Sequence, residues 1–394
     1  MVKYEIGYLG QYYTSTSSKM SPGTFSLTVY LKEALLPEKL QLAVNDLMCR
    51  LPYINVRLCS GFIWYYHKPL KSPPKIISEN NMPAICRYFE KGNNHLLRII
   101  YGERHFTVEV FHTICDGRSL VLIVNSLLAR YFELLGLTVS KEGLIDCDGV
   151  MHEDEVENAY RRYAGRKKGK SEKIINAYMP KFIPSAMQII TRNFDAAVIK
   201  KKATAVGATV TEYIIAHILK EFLVLRAKEG SKKPIGVNVP IDCRRLFPSK
   251  SLYPFVAYIS AVMQEPVDFS DIVQDVKKQL TRITPNYIQR VINEYQHLIH
   301  IGDFVPLFIS NFILRLIIGR GVNNGCSTWF SNLGIVNPPK EFQDRLESLS
   351  FSLCPDANIP YDFACITLGN TLTLTMSSTA KDIEIFDRLE KALK

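Results

Sequence analysis

A histidine that closes a strand, followed four residues later by Asp-Gly and then by a helix, constrains this chain more than any other feature. Residues 106–111 (FTVEVF) have the composition of a strand. His112, Thr113, Ile114, Cys115, Asp116 and Gly117 come next. Residues 119–135 then place Leu120, Val121, Ile123, Val124, Leu127, Leu128, Tyr131 and Phe132 at helical spacing. Such an order sets an imidazole at the rim of a sheet, with a tight turn to hold it still. From the chain's own residue frequencies, H-x-x-x-D-G should arise by chance only about 0.02 times. The pattern is therefore informative even before its strand-turn-helix setting is added.

The same periodicities organise the rest of the chain into an α/β protein of two lobes. A chain of 394 residues exceeds what one core usually supports. Residues 1–150 read as the first lobe. It has a strand at 25–31, a helix at 37–51 stopped by Pro52, and hairpins pairing 54–58 with 62–66 and 96–100 with 106–111. Residues 151–180 are rich in charged and small side chains and form a basic crossover linker. Residues 181–394 read as the second lobe. Helices are expected at 195–206 and 209–228, the latter opened by a Thr209–Glu212 capping box. Strands are expected at 235–239, 258–263, 327–332, 349–354, 363–368 and 372–377, with a closing helix at 382–393.

Composition removes some function classes. Nine cysteines include no C-x-x-C pair and no compact cluster with histidine, so no metal site is expected. Their odd, scattered placement, with no secretory signal at the N-terminus, fits reduced thiols in a cytoplasm. Residues 304–318 are the most membrane-like stretch, but they are too short and too polar to span a bilayer. They read as a buried helix, with peripheral membrane contact through Phe308, Phe312 and Leu316 as the alternative. The net charge of +10 owes much to residues 161–170 (RRYAGRKKGK). No recognition helix, zinc finger or RNP-like signature lies beside that run, so a solvated linker is expected rather than a nucleic-acid site. An acidic carrier protein or a phosphate-bearing substrate is the functional alternative for this surface.

With these residues in view, the chain resembles the HxxxDG acyltransferases related to chloramphenicol acetyltransferase, peptide-synthetase condensation domains and alcohol acetyltransferases. The likeness is greatest to the alcohol-acetyltransferase-like branch. It is carried by LQLAVNDLMCRLPYINVR (40–57), GFIWYY (61–66), VEVFHTICDG (108–117), VNVPIDCRRLFPS (237–249) and TWFSNLGIVNPP (328–339). The resemblance implies two chloramphenicol-acetyltransferase-like lobes, each a mixed sheet flanked by helices, with an active-site tunnel at their interface. Two departures stand out. Many relatives carry a second histidine where this chain has Phe111, and an Asn-Phe pair is replaced by Tyr253-Pro254-Phe255.

Site roles follow from chemistry and from the resemblance. His112 is the candidate general base, since acyl transfer to a hydroxyl or amine needs a proton removed as the new bond forms. Asp116, just before a helix, is well placed as an N-cap. The resemblance implies that it also pairs with an arginine as structural support, Arg244 by position with Arg245 as fallback. Gly117 suits a backbone conformation or a close packing that a Cβ would obstruct. Ser331 and Asn332, in the SNLG element, are the candidates for oxyanion or substrate contact. Cys115 inside the motif could suggest a Cys-His nucleophile, but no third orienting group is evident.

The resulting expectation is a cytoplasmic acyltransferase with no bound cofactor. It would take an acyl group from acyl-CoA, or a carrier-protein thioester, to a small-molecule acceptor without an acyl-enzyme. The rivals are a deacylase or amidase using the same histidine, and a catalytically silent relative acting as a binding protein.

Overall fold

The computed structural model describes residues 3–81, 85–90, 92, 94–165, 175–265, 268–302, 304–319, 325–356 and 358–394. Half of the basic run at 161–170, residues 166–170, therefore lies outside the described residues.

Alternation of apolar and polar side chains builds two main sheets. The first has the order Leu346–Leu353, Thr24–Leu31, His105–Phe111, Leu97–Tyr101, Ile77–Ser78, antiparallel except for the last pair. The second has six strands in the order Val256–Met263, Ile235–Asp242, Thr328–Val336, Tyr361–Leu368, Thr371–Ala380, Pro184–Asp195, with parallel pairing on both sides of Thr328–Val336. A small three-stranded sheet joins Tyr4–Glu5 to the hairpin Val56–Ser60/Tyr65–Pro69.

Helices cover the sheets where their apolar stripes require it. Pro37–Arg50 begins with Pro at its first turn, where no intrahelical N–H is lost. It packs with Gly117–Leu134 in the first core, alongside Phe25, Leu27, Val108 and Val110. Val210–Lys228 opens with the expected reciprocal cap, Thr209 Oγ1 accepting from Glu212 N–H and the Glu212 carboxylate accepting from Thr209 N–H. It fills the second core with Ile215, Leu219 and Phe222 against Val237, Phe330 and Phe363. Two such cores make two lobes.

Chain order and lobe membership do not coincide at every strand. Leu346–Leu353, expected within the second lobe at 181–394, is an edge strand of the first lobe's sheet. Its Leu349 and Phe351 lie in the first core. This strand ties the lobes together.

Two other expectations are corrected. Cys86 and Cys354 are joined by a disulfide, with their Cα atoms 5.4 Å apart across 268 residues of sequence. The expectation of reduced thiols throughout therefore fails for this pair, because spacing along the chain says nothing about a contact made through the fold. Residues 304–318 overlap a helix, Leu307–Gly319, but its described side chains, Leu307 excepted, are exposed or half-buried. Phe304, Phe308 and Phe312 are 87%, 70% and 63% exposed, a stripe at four-residue spacing that faces solvent. The expectation of burial rested on hydropathy, which cannot distinguish an apolar helix that has a partner from one that lacks it. Among the described residues no helix is long and apolar enough to cross a membrane.

Candidate active site

The strand His105–Phe111 delivers His112 to the sheet rim, where its backbone N–H donates to Gly23 O at 3.0 Å. The imidazole is clamped between aromatic rings. Tyr13 stacks on it with centroids 4.3 Å apart and planes 6° from parallel, and Phe25 lies at 4.5 Å. The ring is deep in the protein, yet His112 keeps part of its surface open to solvent. That combination describes a residue lining a recess. Burial draws its pKa down to about 4, against a smaller upward pull from its own backbone carbonyl, the Asp116 charge and the Cys115 carbonyl. At neutral pH the ring is thus neutral and able to accept a proton. Its Nδ1 is buried without a well-formed hydrogen bond. Tyr13 covers one face of the ring.

Asp116 and Arg244 meet as the sequence suggested. Asp116 Oδ1 accepts from Ser119 N–H at 3.0 Å and so caps the helix Gly117–Leu134. Its Oδ2 accepts from Arg244 Nη1 at 2.6 Å and from Phe255 N–H at 3.0 Å. Arg244 in turn donates to Ser251 O, Tyr253 O and Asp242 Oδ1. Burial opposes ionisation of Asp116, but Arg244 and the two N–H groups outweigh it and hold the carboxyl below its usual range. Cap and ion pair coexist, and both fix the turn that presents His112. The Tyr253-Pro254-Phe255 departure contributes two of these bonds through its backbone, Phe255 N–H donating to Asp116 and Tyr253 O accepting from Arg244. Arg245 plays no part in the pair.

Gly117 is explained by packing. A Cβ there would meet Leu333 Cδ2 at 2.6 Å, and no left-handed φ is involved. Leu333 belongs to the SNLG strand, so this close approach is where the second lobe touches the histidine turn. Strand alternation then separates the two oxyanion candidates. Ser331 shares the face of Leu333, and its hydroxyl has no hydrogen-bond partner among the described residues. Asn332 points the other way. Its Nδ2 donates to Thr211 Oγ1 at 2.9 Å and its Oδ1 accepts from Gly334 N–H at 2.7 Å, holding a bulge in which Gly334 has φ +77°. Asn332 is therefore corrected from oxyanion donor to local support, and Ser331 remains. Cys115 is fully buried with its thiol pKa pushed well up by burial, unsuited to nucleophilic attack.

Two supporting residues escaped the sequence reading. Tyr13 lies on a helix, Tyr8–Thr16, that carries no amphipathic signal or side-chain cap. Its hydroxyl bonds that of Tyr258 at 2.9 Å, joining the cover of the imidazole to the second lobe. His67, on the strand Tyr65–Pro69, is wholly buried, and its Nε2 lies 3.1 Å from Thr113 Oγ1 inside the histidine turn. Among the described residues no group of three His, Cys, Asp or Glu side chains is placed to hold a metal ion.

No family model matches the sequence, and no curated protein does. The fold is nevertheless shared with solved structures. Polyketide synthase associated protein 5 from Mycobacterium tuberculosis superposes with a TM-score of 0.68 at 14% identity, covering 100% of this chain and 96% of the other. The first condensation domain of the CDA synthetase gives 0.60 at 12% identity, over 100% and 94%. Trichothecene 15-O-acetyltransferase from Fusarium sporotrichioides gives 0.60 at 10% identity, over 99% and 93%. Across its whole length, then, this chain has the two-lobed fold of condensation domains and of that acetyltransferase, which is the architecture its histidine motif suggested.

Proposed function

We propose that this protein is an acyltransferase that moves an acyl group from a thioester, acyl-CoA or a carrier-bound equivalent, to a hydroxyl or amine of a small acceptor. The observation that carries the reading is His112, a neutral imidazole in a solvent-touched recess on a turn that a buried ion pair immobilises. The acceptor's proton passes to the ring as its oxygen or nitrogen attacks the thioester carbonyl. A tetrahedral intermediate follows, and Ser331 is our candidate to donate toward its oxygen. Collapse of the intermediate expels the thiolate, which recovers the proton from the imidazolium. Burial lowers the basicity of His112, and the carbonyls of His112 and Cys115 offset part of that loss once the ring is charged. No acyl-enzyme is needed, in keeping with the inert Cys115. The net charge of +10 suits a donor that carries phosphates.

A screen of acyl-CoAs of graded chain length against pooled alcohols and amines, read by mass spectrometry, tests the reading. New ester or amide masses appearing with stoichiometric free thiol are the expected result. Free acid alone, with no acceptor adduct, would replace transfer by hydrolysis. Intact thioester throughout would remove both.

A further inference from the structure

The face of the second sheet that looks toward the first lobe carries a buried acid, Asp362, with no ion pair among the described residues. On the strand Tyr361–Leu368, Phe363 and Cys365 enter the second core, whereas Ala364 and Ile366 reach the first. Asp362 shares the face of Ala364 and Ile366, so it looks into the space between the lobes. Its register partners on either side are Trp329 and Ser377. Beyond Trp329 the same row continues through Asn238 and Ser260, whose side chains bond each other at 3.1 Å. A polar row thus crosses a sheet whose other face is apolar.

Among the described residues nothing positive pairs with this row. Asp362 is only 3% exposed, and its carboxylate accepts one backbone bond, from Trp329 N–H at 3.3 Å. Beside it Ser377 is 1% exposed, and its hydroxyl is without a hydrogen-bond partner among the described residues. Asp356, two residues past the disulfide-anchored Cys354, keeps an open surface, and its charge is felt by Asp362, Tyr12, Tyr13 and Cys326. Neither carboxylate has an ion-pair partner among the described residues. Burial, and then the charge of Asp356, lift Asp362 well above the usual carboxylate range. Asp356 keeps exposed surface, but the protein packed around its carboxyl lifts it to about 6, against a smaller downward pull from a Ser21 hydrogen bond. A bound cation would relieve both penalties. The walls suit one, since Tyr258 packs edge-on to Trp329 at 5.2 Å. Tyr13, which stacks on His112, bonds Tyr258, so this row and the imidazole lie on two sides of one tyrosine.

We infer that Asp362, with the Ser377 hydroxyl beside it and the more exposed Asp356 nearby, is a subsite for a protonated amine on the acyl acceptor. Assigning that amine to the acceptor rests on the acyltransferase reading. A protonated amine is not nucleophilic, so the group that reacts at His112 is a second one. The acceptor class is therefore an amino alcohol or a diamine, held by its charged end while its other end reaches the imidazole.

Isothermal titration of the whole protein with aminohexanol and with hexanediol, without any thioester, tests the subsite. The two probes match in length and differ by one charge. The wild type is expected to bind aminohexanol at least tenfold more tightly, and Asp362→Asn to bring the two within twofold. Equal affinities in the wild type, no detectable amine binding at millimolar concentration, or a preference that survives Asp362→Asn would each overturn the proposal. Should Asp362→Asn lose cooperative unfolding, Asp356→Asn at the solvent-open position must reduce the preference at least threefold, and an unchanged preference there overturns it equally. Because no acyl transfer is read, a protein that shows the preference but never transfers leaves the subsite standing and removes the acyltransferase reading alone.

Discussion

Two buried aspartates, Asp116 in the histidine turn and Asp362 on the second sheet, have nearly the same exposure and opposite electrostatics. Asp116 is saturated by Arg244, Phe255 N–H and Ser119 N–H, and its carboxyl is held below the usual range. Asp362 has one long backbone bond and a second acid for a neighbour, and its carboxyl is held far above that range. Depth alone does not decide what a buried charge is for. A charge whose partner lies within the protein belongs to the framework, and one left without a partner marks a place where something from outside is received.

The comparison breaks most visibly through Arg244. Arg244→Ala strips the cation from Asp116 and leaves a buried carboxylate alone, so chemical denaturation should show a loss of about 3–5 kcal/mol. A loss below about 1 kcal/mol would mean that Asp116 is not held as described. A smaller effect is expected beside it. Gly117→Ala places a Cβ against the mobile end of Leu333 and should cost about 1–2 kcal/mol by the same measurement. Asp362→Asn should be neutral or slightly stabilising at neutral pH, since it removes a desolvated acid while the amide oxygen can still accept from Trp329 N–H. A large destabilisation there would show Asp362 to be framework after all.

The histidine turn was legible because its chemistry is local. The motif and the cap at Asp116 sit within one short stretch that the sequence prints in order, whereas Arg244, 128 residues away, follows only from the resemblance. Asn332 misled for the opposite reason. A strand alternates its faces, and one step of parity moved that amide from the recess to Thr211. Tyr13 was invisible in a segment (YLGQYYTST) with neither helical stripe nor cap. The edge strand Pro184–Asp195 was missed because half-buried residues on both of its faces leave no clear alternation. Asp362 could have been found, since it is the one acid in a strand, YDFACITL, that is otherwise apolar or small and buried throughout. The exposed stripe at Phe304, Phe308 and Phe312 could not, because burial depends on neighbours that hydropathy does not report.

The smallest expected effect is a slope. His112 binds its proton more weakly folded, at about 4, than the ordinary 6.5, so its share of stability is present above the unfolded value and fades as pH falls from there toward 4. Asp356 acts in the opposite sense. Its carboxyl holds the proton more tightly when folded, at about 6 against 3.8, so stability is present below the unfolded value and fades as pH rises through 6. Asp356→Asn should therefore raise the denaturation midpoint relative to wild type by an amount that grows between pH 4 and 6. A difference that stays constant across that range would place Asp356 in ordinary solvent.

Acyl transfer from a thioester by His112→Ala, measured beside wild type under single-turnover conditions, tests the central claim most directly. If the ring does the chemistry while Asp116 and Arg244 hold the turn, the variant should lose transfer by about 100-fold or more and still unfold cooperatively. Transfer at the wild-type rate in a folded His112→Ala protein would contradict the account.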